Sequence, residues 1–527
     1  MESAARTAKW WPYAGLRLVL ALLLGASLTL AYAPFGYYWL TLPVLIGVLA
    51  LGWDATAAEG FKLGFSFGLG WFSTGLSWIF VSIDQFGGLP LLATLFILAL
   101  LYCYLALFPA LAFMLWRYAA WWQRDPQQHQ ARQRAIYLIP ILWLCTELLR
   151  GWLFTGFPWL SLGYTQTTTM LGQWAPWVGE IGVSVLLMLL ASTLLWAWFS
   201  RSWQALIPAA LILIIASILP HFSSLSRTGI EHQVALVQGN VQQSTKWDAA
   251  QQWPTVLRYL DLSRPEYGNS DVIIWPESAV TILEPFAGDI LANIEAATQA
   301  QDTAIVTGII DYRRESDAFY NSIVVVGPQG EDQLGSYQYR GDNRYQKHQL
   351  LPIGEFVPFE EWLRPLAPLF NLPMSSFSRG DYQQPNLQAN GVALAAAICY
   401  EILFSAQVGA QLQSQTDYIL TISNDTWFGR SHGPWQHLQI AQMRALEYGR
   451  PVLRGTNSGI TAVINEYGEI QQQLPQFERD VLVTAVAQVR GETLYSDWGN
   501  LGAWLLGIIW LSIGIASHYR ARRSARA

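Results

Sequence analysis

Three polar residues in the second half of the chain have the types and surroundings that acyl-transfer chemistry needs. Cys399 ends an apolar, strand-like run, VALAAAICYE. Glu277 follows a second such run in the string IIWPES, and Lys347 lies between them in the string YQKHQLLPIGEF. A thiol becomes an effective nucleophile at neutral pH when a base accepts its proton and a cation favours the thiolate. A Glu, a Lys and a Cys together can supply that chemistry.

Each of these residues has an ordinary structural interpretation when it is taken alone. A glutamate after a strand is usually solvated or hydrogen-bonded, a cysteine in an apolar run is usually a small core residue, and a lone lysine usually lies at the surface. The catalytic interpretation depends on the joint occurrence of the three strings in this order. Cys103 and Cys145 lie in long apolar segments, so we expect Cys399 to have no disulfide partner in its own domain.

Residues from about 221 to 495 predict a single α/β domain that positions these groups. Apolar or β-branched runs of strand length alternate with helix-like stretches. The predicted strands include 233–238, 271–276, 303–310, 321–327, 392–399, 418–423 and two in 452–470, and the predicted helices are 248–263, 288–300 and 434–449. Runs without polar alternation are typical of strands covered on both faces, so we expect helices packed on sheets.

The stretch 338–391 does not follow this pattern, because it is polar and rich in Pro and Gly. It contains an apolar island, WLRPLAPLFNLPM, at 362–374. Loops of this length are uncommon in compact domains unless they act as lids or binding arms. We expect residues 360–378 to form a mobile apolar arm near the site; the alternative is a surface loop packed on the domain.

The composition of the whole chain is that of a membrane protein. Of its 527 residues, 52% are hydrophobic and only 13% are charged. Crossing a bilayer takes about 20 apolar residues in a helix. Eight stretches suit this purpose, seven before residue 221 and one after residue 495: 14–33, 39–54, 61–83, 88–116, 135–154, 171–199, 203–220 and 497–517.

The positions of Lys and Arg predict the orientation of these spans, because positively charged loops stay in the cytoplasm. With eight crossings, the basic residues of the N-terminal tail, of the loop after the fourth span and of the C-terminal tail fall on one side. They are Arg6, Lys9, Arg117, Arg124, Arg132, Arg134, Arg520, Arg522, Arg523 and Arg526. The domain at 221–495 is then expected on the opposite, external face.

Charged residues inside predicted spans are costly and are usually paired or functional. Glu147 and Arg150 are three residues apart in the fifth span, and Glu180 lies in the sixth. Residues at this spacing meet on one face of a helix. Our hypothesis is that Arg150 helps to hold a lipid phosphate; a structural ion pair between helices is the alternative.

The sequence gives no indication of a metal or nucleic-acid site. The seven His residues form no HExxH motif and no Cys/His cluster, so no metal is expected. The formal net charge is −6 and no basic stripe is visible, so no nucleic-acid partner is expected either.

The order Glu, Lys, Cys, with the local strings WPES, KHQLLPIGEFVP and ICYE, resembles the carbon–nitrogen hydrolase (nitrilase) superfamily, whose domain is an αββα sandwich. The polytopic frame and the strings QGNVQQSTKW, YNS and SNDTWFG narrow the resemblance to the family of apolipoprotein N-acyltransferases. The resemblance covers nearly the whole chain. It implies three parts: a transmembrane domain at 1–220, a periplasmic nitrilase-like domain at 221–495, and a last helix with a basic cytoplasmic tail at 496–527.

Carried over position by position, the resemblance implies a catalytic triad of Glu277, Lys347 and Cys399. It also implies supporting or substrate-binding roles for Trp247, Glu355, Tyr400 and Glu401. Alternatives stay open for these four. Glu355 and Glu401 could orient Lys347 or only stabilise a loop, and Trp247 and Tyr400 could be packing residues.

The implied reaction is a ping-pong acyl transfer in the bacterial inner membrane. A phospholipid gives its sn-1 acyl chain to Cys399, and the α-amino group of a diacylglyceryl-cysteine on an apolipoprotein then accepts it. The resemblance implies no soluble cofactor, and we expect a monomer.

Two rival functions remain at this point. A membrane-anchored nitrilase-type amidase acting on a small amide would need only one anchoring span, whereas this chain has seven before the domain. A transporter with an external binding domain would show matched halves with broken helices. No such internal symmetry is visible, although the Gly-rich stretch 60–75 is a weak indication of it.

Overall fold

The structure is a computed structural model that describes residues 14–122, 135–201, 203–330, 337–352, 354–356 and 376–526. These residues form two compact units. The first comprises the described parts of Met1–Ser77, Leu92–Phe222 and Trp498–Ala527, and the second comprises Trp78–Leu91 and the described parts of Ser223–Asp497. Most of the predicted arm at 360–378 lies outside the described residues, as do several of the basic residues used to predict the orientation.

The first unit is built from helices. The helices before residue 223 are α1 (Ala14–Leu28), α2 (Thr41–Gly52), α3 (Ala57–Gly75), α4 (Trp78–Phe86), α5 (Leu91–Trp122), α6 (Ile139–Arg150), α7 (Ala175–Ser200) and α8 (Ile207–Ile218). A further helix, Leu501–Arg526, follows the second unit in sequence. Of these, α4 belongs to the second unit.

Several of these helical segments are long and apolar enough to cross a membrane. Among the described residues there are four: Ala14–Ala31, Leu91–Ala119, Met170–Ser200 and Trp203–Phe222. The bent pair Ala57–Gly75 and Trp78–Gln85 makes a fifth if it counts as one span. Tyr38–Gly52 and Leu501–Ala516 are apolar but shorter. The prediction of a membrane protein is therefore confirmed, with four to five candidate spans by length and composition.

Glycines allow α1 and α3 to pack closely in the first unit. A Cβ atom at Gly25 would overlap the carbonyl oxygen of Phe67, and one at Gly70 would overlap the carbonyl oxygen of Leu22. Ser66 Oγ donates to the carbonyl oxygen of Leu18 across the same contact, at 2.7 Å. Small residues and interhelical hydrogen bonds of this kind hold helices together where lipid removes the hydrophobic driving force.

The second unit contains two six-stranded sheets among its described residues. The strands are β1 (Ser226–Gln238), β2 (Val272–Ile274), β3 (Ala304–Arg313), β4 (Ala318–Val326), β5 (Arg344–Gln346), β6 (Leu387–Ala389), β7 (Val392–Ile398), β8 (Tyr418–Ser423), β9 (Val452–Thr456), β10 (Ala462–Ile464), β11 (Ile470–Gln473) and β12 (Asp480–Arg490). The orders are β12-β1-β2-β3-β4-β5 and β11-β10-β9-β8-β7-β6. Each sheet has three parallel strands, β1-β2-β3 and β7-β8-β9, extended by antiparallel neighbours.

The strands are buried on both faces, which gives four layers. In β1, Val234 and Leu236 belong to the core between the sheets, while Ala235 and Val237 belong to a second core under helices. That second core includes residues of α9 (Ala249–Ser263) and α10 (Gly288–Gln299). The helix Gly433–Tyr448 packs on β9 and β10 of the other sheet. The predicted α/β fold is thus a helix–sheet–sheet–helix sandwich, as the nitrilase resemblance implies.

Candidate active site

Glu277, Lys347 and Cys399 come together in the second unit although they are far apart in sequence. Each lies at or just after a strand end: Glu277 after β2, Lys347 after β5 and Cys399 after β7. The ammonium nitrogen of Lys347 lies 4.0 Å from Glu277 Oε1. Both side chains act electrostatically on the Cys399 thiol. The fold therefore places a carboxylate, an ammonium and a thiol in one site.

The buried carboxylate of Glu277 is held by neutral donors. Asn321 Nδ2 donates to Oε1 at 2.8 Å, and the backbone N–H of Asn424 donates to Oε2 at 2.9 Å. A carboxylate has about four acceptor positions, so two hydrogen bonds orient the group and leave capacity for a proton. This arrangement suits a general base.

Lys347 is fixed by a second carboxylate. Its ammonium nitrogen lies 2.8 Å from each carboxylate oxygen of Glu355, which also accepts hydrogen bonds from Asn321 and from the backbone of Leu351. Burial alone would lower the pKa of Lys347, but the negative charges of Glu355 and Glu277 outweigh it and raise that pKa above its usual value. Lys347 is therefore a permanent cation at neutral pH, and the position of Glu355 suits an orienting role.

The backbone at Cys399 is left-handed, with φ of +52°. This conformation is uncommon for residues other than Gly and is found at functional turns. It ends β7 and starts a short 3-10 turn, Cys399–Leu403. His437 Nε2 lies 3.1 Å from the Cys399 carbonyl oxygen, which it can reach only as a donor. The candidate nucleophile thus lies on a sharp turn, and a hydrogen bond from His437 fixes the carbonyl group of that turn.

Burial, followed by the charge of Glu277, raises the pKa of the Cys399 thiol to about 12, although Lys347 acts in the opposite direction. The sequence-based idea that Lys347 favours the thiolate has the right direction, but it is outweighed in the resting site. Cys399 therefore rests as a thiol. Its activation requires transfer of the proton to a neighbouring base.

Glu401 is a fully buried carboxylate that ties the two strand ends together. Its oxygens accept hydrogen bonds from the backbone N–H groups of Ile398, His348 and Gln349, at 2.7, 2.8 and 3.0 Å. Side chains of Tyr345 and Gln407 donate to it as well, at 2.9 and 2.7 Å. Glu401 thus connects the residue before Cys399 with the residues after Lys347, which is the geometry of a positioning group.

Replacing Glu401 with Gln puts an amide N–H₂ against donors that need an acceptor. We expect the variant to lose about 2–3 kcal/mol of stability, because hydrogen bonds to a charged group are lost or weakened. Thermal unfolding in detergent measures this. Glu315→Gln is the matched control, because Glu315 is an exposed carboxylate paired with Arg340. Equal unfolding midpoints for the two variants would contradict the positioning role of Glu401.

The remaining predicted residues lie as follows. Tyr400 is buried with its ring 5.1 Å from that of Phe404. Trp247 is partly exposed and follows Lys246 in the loop after β1. Arg150 is buried in the first unit, where it donates to the carbonyl oxygens of Phe157 and Trp159 at 2.8 and 2.5 Å.

Arg150 also lies 3.7 Å from Glu147, at the spacing predicted for one helix face. These contacts support the structural interpretation of Arg150. Its suggested contact with a lipid phosphate stays a prediction, as do the proposed roles of Tyr400 and Trp247.

Sequence reasoning quoted the strings that hold Asn321, Asn424 and Lys246 but gave these residues no role. It also missed a buried network behind the nucleophile. Arg454 donates to Asp425 at 2.5 Å and lies 3.2 Å from Nδ1 of His437. A polar run such as SNDTWFG, placed directly after a predicted buried strand, was the available signal for part of this network.

Comparison with known sequences agrees with this fold. The carbon–nitrogen hydrolase pattern matches residues 233–495, and the pattern of the apolipoprotein N-acyltransferase N-terminal domain matches residues 24–193. The second unit is therefore a domain of the carbon–nitrogen hydrolase class. The helical region that precedes it in the chain matches the N-terminal domain of apolipoprotein N-acyltransferases.

Relatives match over almost the full length. The apolipoprotein N-acyltransferase of Shewanella oneidensis is 46% identical over 490 residues, covering 92% of each chain. Those of Photobacterium profundum and Vibrio cholerae are 43% and 42% identical, each over 97% of this chain and over 96% and 98% of their own. The chain belongs to the apolipoprotein N-acyltransferase family. By this close homology it is a membrane-bound acyltransferase that modifies lipoproteins.

Proposed function

We propose that the chain moves the sn-1 acyl chain of a phospholipid, through a thioester on Cys399, to the α-amino group of the diacylglyceryl-cysteine of an apolipoprotein. This is the last step in lipoprotein maturation. The observation that carries the proposal is the clustering of three groups: the buried carboxylate of Glu277, the buried ammonium of Lys347 and the thiol of Cys399, which lies on a sharp turn. In this cluster, Lys347 lies 4.0 Å from Glu277, and Glu401 links the residue before Cys399 to the residue after Lys347.

In the first half-reaction, Glu277 accepts the proton of the Cys399 thiol as sulfur attacks the ester carbonyl carbon. Lys347 stabilises the negative charge on the tetrahedral oxygen, an interaction typically worth about 3–4 kcal/mol. The C–O bond to the glycerol then breaks. Glu277 returns the proton to the departing oxygen, which leaves as the hydroxyl of a lysophospholipid.

In the second half-reaction, the free α-amine of the apolipoprotein attacks the thioester carbon. Glu277 takes a proton from the attacking nitrogen and delivers it to Cys399 sulfur as the C–S bond breaks. The products are an amide on the lipoprotein and the regenerated thiol. A thioester is readily aminolysed, so water is the competing acceptor and the site has to exclude it. The predicted arm at 360–378 would contribute to that exclusion.

The membrane arrangement proposed here is the one predicted from charge and hydropathy. About eight spans place the domain at 221–495 on the periplasmic face of a bacterial inner membrane, with the helical domain at 1–220 and the closing helix and tail at 496–527. Lys and Arg accumulate in the N-terminal tail, in the loop after the fourth span and in the C-terminal tail, all on the opposite side, which supports this orientation. The proposed reaction needs no metal, cofactor or nucleic acid, and we propose a monomer.

The proposed substrates can be tested with labelled phospholipids and a synthetic peptide that carries an N-terminal diacylglyceryl-cysteine. We expect label from the sn-1 chain, and none from the sn-2 chain, to appear in amide linkage on the peptide. An N-acetylated peptide is the matched control, since its amine is blocked. Transfer from sn-2 would contradict the proposed donor position, whereas hydrolysis of a small amide without any acyl transfer would favour the amidase alternative and contradict the proposal.

A further inference from the structure

Lys246 is a buried cation next to Glu277 that the proposed mechanism does not use. It lies in the loop between β1 and α9, and its side chain is 1% exposed. Its ammonium group donates to the backbone carbonyl oxygen of Glu277 at 3.1 Å. This contact puts a second lysine beside the candidate base, on the backbone side of the residue.

The loop that carries Lys246 is fixed by hydrogen bonds. Asn457 accepts from the backbone of Val241 at 2.9 Å and donates back to its carbonyl oxygen at 2.8 Å. Gln243 accepts from the side chain of Asn424 at 2.7 Å, and the backbone of Asn424 donates to the Glu277 carboxylate. The position of the Lys246 amine is therefore coupled to the position of the base.

A buried lysine is usually paired with a carboxylate. Over the described part of the chain, no carboxylate oxygen lies within 4.0 Å of the Lys246 ammonium, and its hydrogen bond goes to a carbonyl. Burial lowers the pKa of Lys246 to about 8, while the charge of Glu277 acts in the opposite direction. The ammonium group also lies 6.0 Å from the centre of the Trp247 ring. The protein thus keeps a buried charge directly beside the candidate base.

We propose that Lys246 is a positioning residue for the base. Its ammonium group holds Glu277 through the backbone carbonyl, and its positive charge lies beside the carboxylate that is to accept the Cys399 proton. This inference rests on the proposed function only in that Glu277 is taken as the base.

The other charges around Glu277 explain why a second cation is useful there. Lys347 is shared with Glu355, which binds it more closely than Glu277 does. Asp425 acts on the same thiol but is paired with Arg454. Cys399 is neutral at rest. Without Lys246, the two carboxylates Glu277 and Glu355 would face one buried ammonium.

Neutral replacements of Lys246 test the charge. In Lys246→Met and Lys246→Gln, we expect the rate of Cys399 alkylation by iodoacetamide at pH 7 to fall about tenfold, because loss of a nearby positive charge disfavours the negative charge that the site carries during the reaction. Mass spectrometry of the Cys399 peptide separates it from Cys103 and Cys145. Lys246→Arg keeps the charge and should keep the wild-type rate.

Arg258→Met is the matched control for loop support. Arg258 holds the same loop through the carbonyl oxygens of Gly239 and Asn240, both at 3.3 Å. Its replacement by Met should leave the rate of Cys399 alkylation unchanged. The Gln variant retains a donor for the Glu277 carbonyl, so it covers the case in which the Met variant does not fold. An unchanged alkylation rate in Lys246→Gln, or an equal fall in Arg258→Met, would overturn the proposal.

The alkylation assay needs no lipid, which separates this inference from the proposed function. If Cys399 of the wild-type protein is alkylated but transfers no acyl chain, the proposed function fails and the role of Lys246 is still decided by the variants. If acyl transfer occurs and the alkylation rate does not depend on Lys246, only this inference fails.

Discussion

Glu277→Gln is expected to slow acyl-enzyme formation about 10²–10⁴-fold at pH 7, the usual contribution of a general base. The reason is the state of Cys399, whose thiol has a pKa raised to about 12 by burial and by the charge of Glu277. Nearly all of the thiol is therefore protonated at neutral pH. A Gln side chain can still accept the hydrogen bond from the Asn424 backbone, but it cannot take a proton.

The pH profile gives this prediction its sharpest form. Without an internal base, deprotonation depends on hydroxide, so the rate in Glu277→Gln should rise about tenfold per pH unit below the thiol pKa. The wild-type rate should rise less steeply with pH over the same range, because Glu277 supplies an internal base. Single-turnover acylation by a labelled phospholipid measures both. A Gln variant with the wild-type profile would show that another group acts as the base.

Lys347→Met is expected to cost about 3–4 kcal/mol of transition-state stabilisation, or a rate loss on the order of 10²–10³-fold. The substitution removes the cation that faces the developing oxyanion in the proposed mechanism. It also removes the ion-pair partner that Glu355 and Glu277 share among the described residues, which leaves Lys246 as the remaining cation beside Glu277. A buried charge that loses its partner is strongly destabilising, so the free energy of unfolding should fall as well.

A double-mutant cycle separates these two effects. Glu355→Gln in the Lys347→Met background removes one unpaired charge, so we expect it to recover most of the lost stability and little of the lost rate. Unfolding in detergent and single-turnover acylation are the two measurements. Recovery of the rate together with the stability would mean that Lys347 acts only on the fold.

Much of the sandwich could be predicted because its strands are buried on both faces. The run VALAAAIC predicted β7, which ends at Ile398, and YILTIS matched β8. The helix predicted at 248–263 is Ala249–Ser263, and the one at 434–449 is Gly433–Tyr448. Continuous apolar runs bounded by polar residues are the strongest local signal of such strands.

The parts that sequence could not show depend on contacts between distant residues. Glu401 accepts hydrogen bonds from backbone groups more than fifty positions away, and no local pattern encodes such a partner. β12 mixes exposed, partly exposed and buried residues at the edge of its sheet, and Thr484 and Gln488 interrupt its apolar residues, so it lacks the continuous apolar run of the central strands.

Hydropathy also could not show that α4 belongs to the second unit. The sequence predicts residues 61–83 as one span, whereas Trp78 donates to the side chain of Gln436 at 3.2 Å and packs edge-on against Phe428. Ser82 donates to the carbonyl oxygen of Trp427 at 2.8 Å. An apolar helix looks the same in the sequence whether it faces lipid or a protein surface.

The central claim is that the Cys399 sulfur carries the acyl chain between donor and acceptor. Intact mass spectrometry of protein incubated with phospholipid, in the absence of an acceptor peptide, tests it directly. The account predicts one added acyl chain that maps to Cys399, is released by hydroxylamine and is absent in Cys399→Ala. An unmodified wild-type protein that still acylates the peptide, or a Cys399→Ala variant with undiminished transfer, would contradict it.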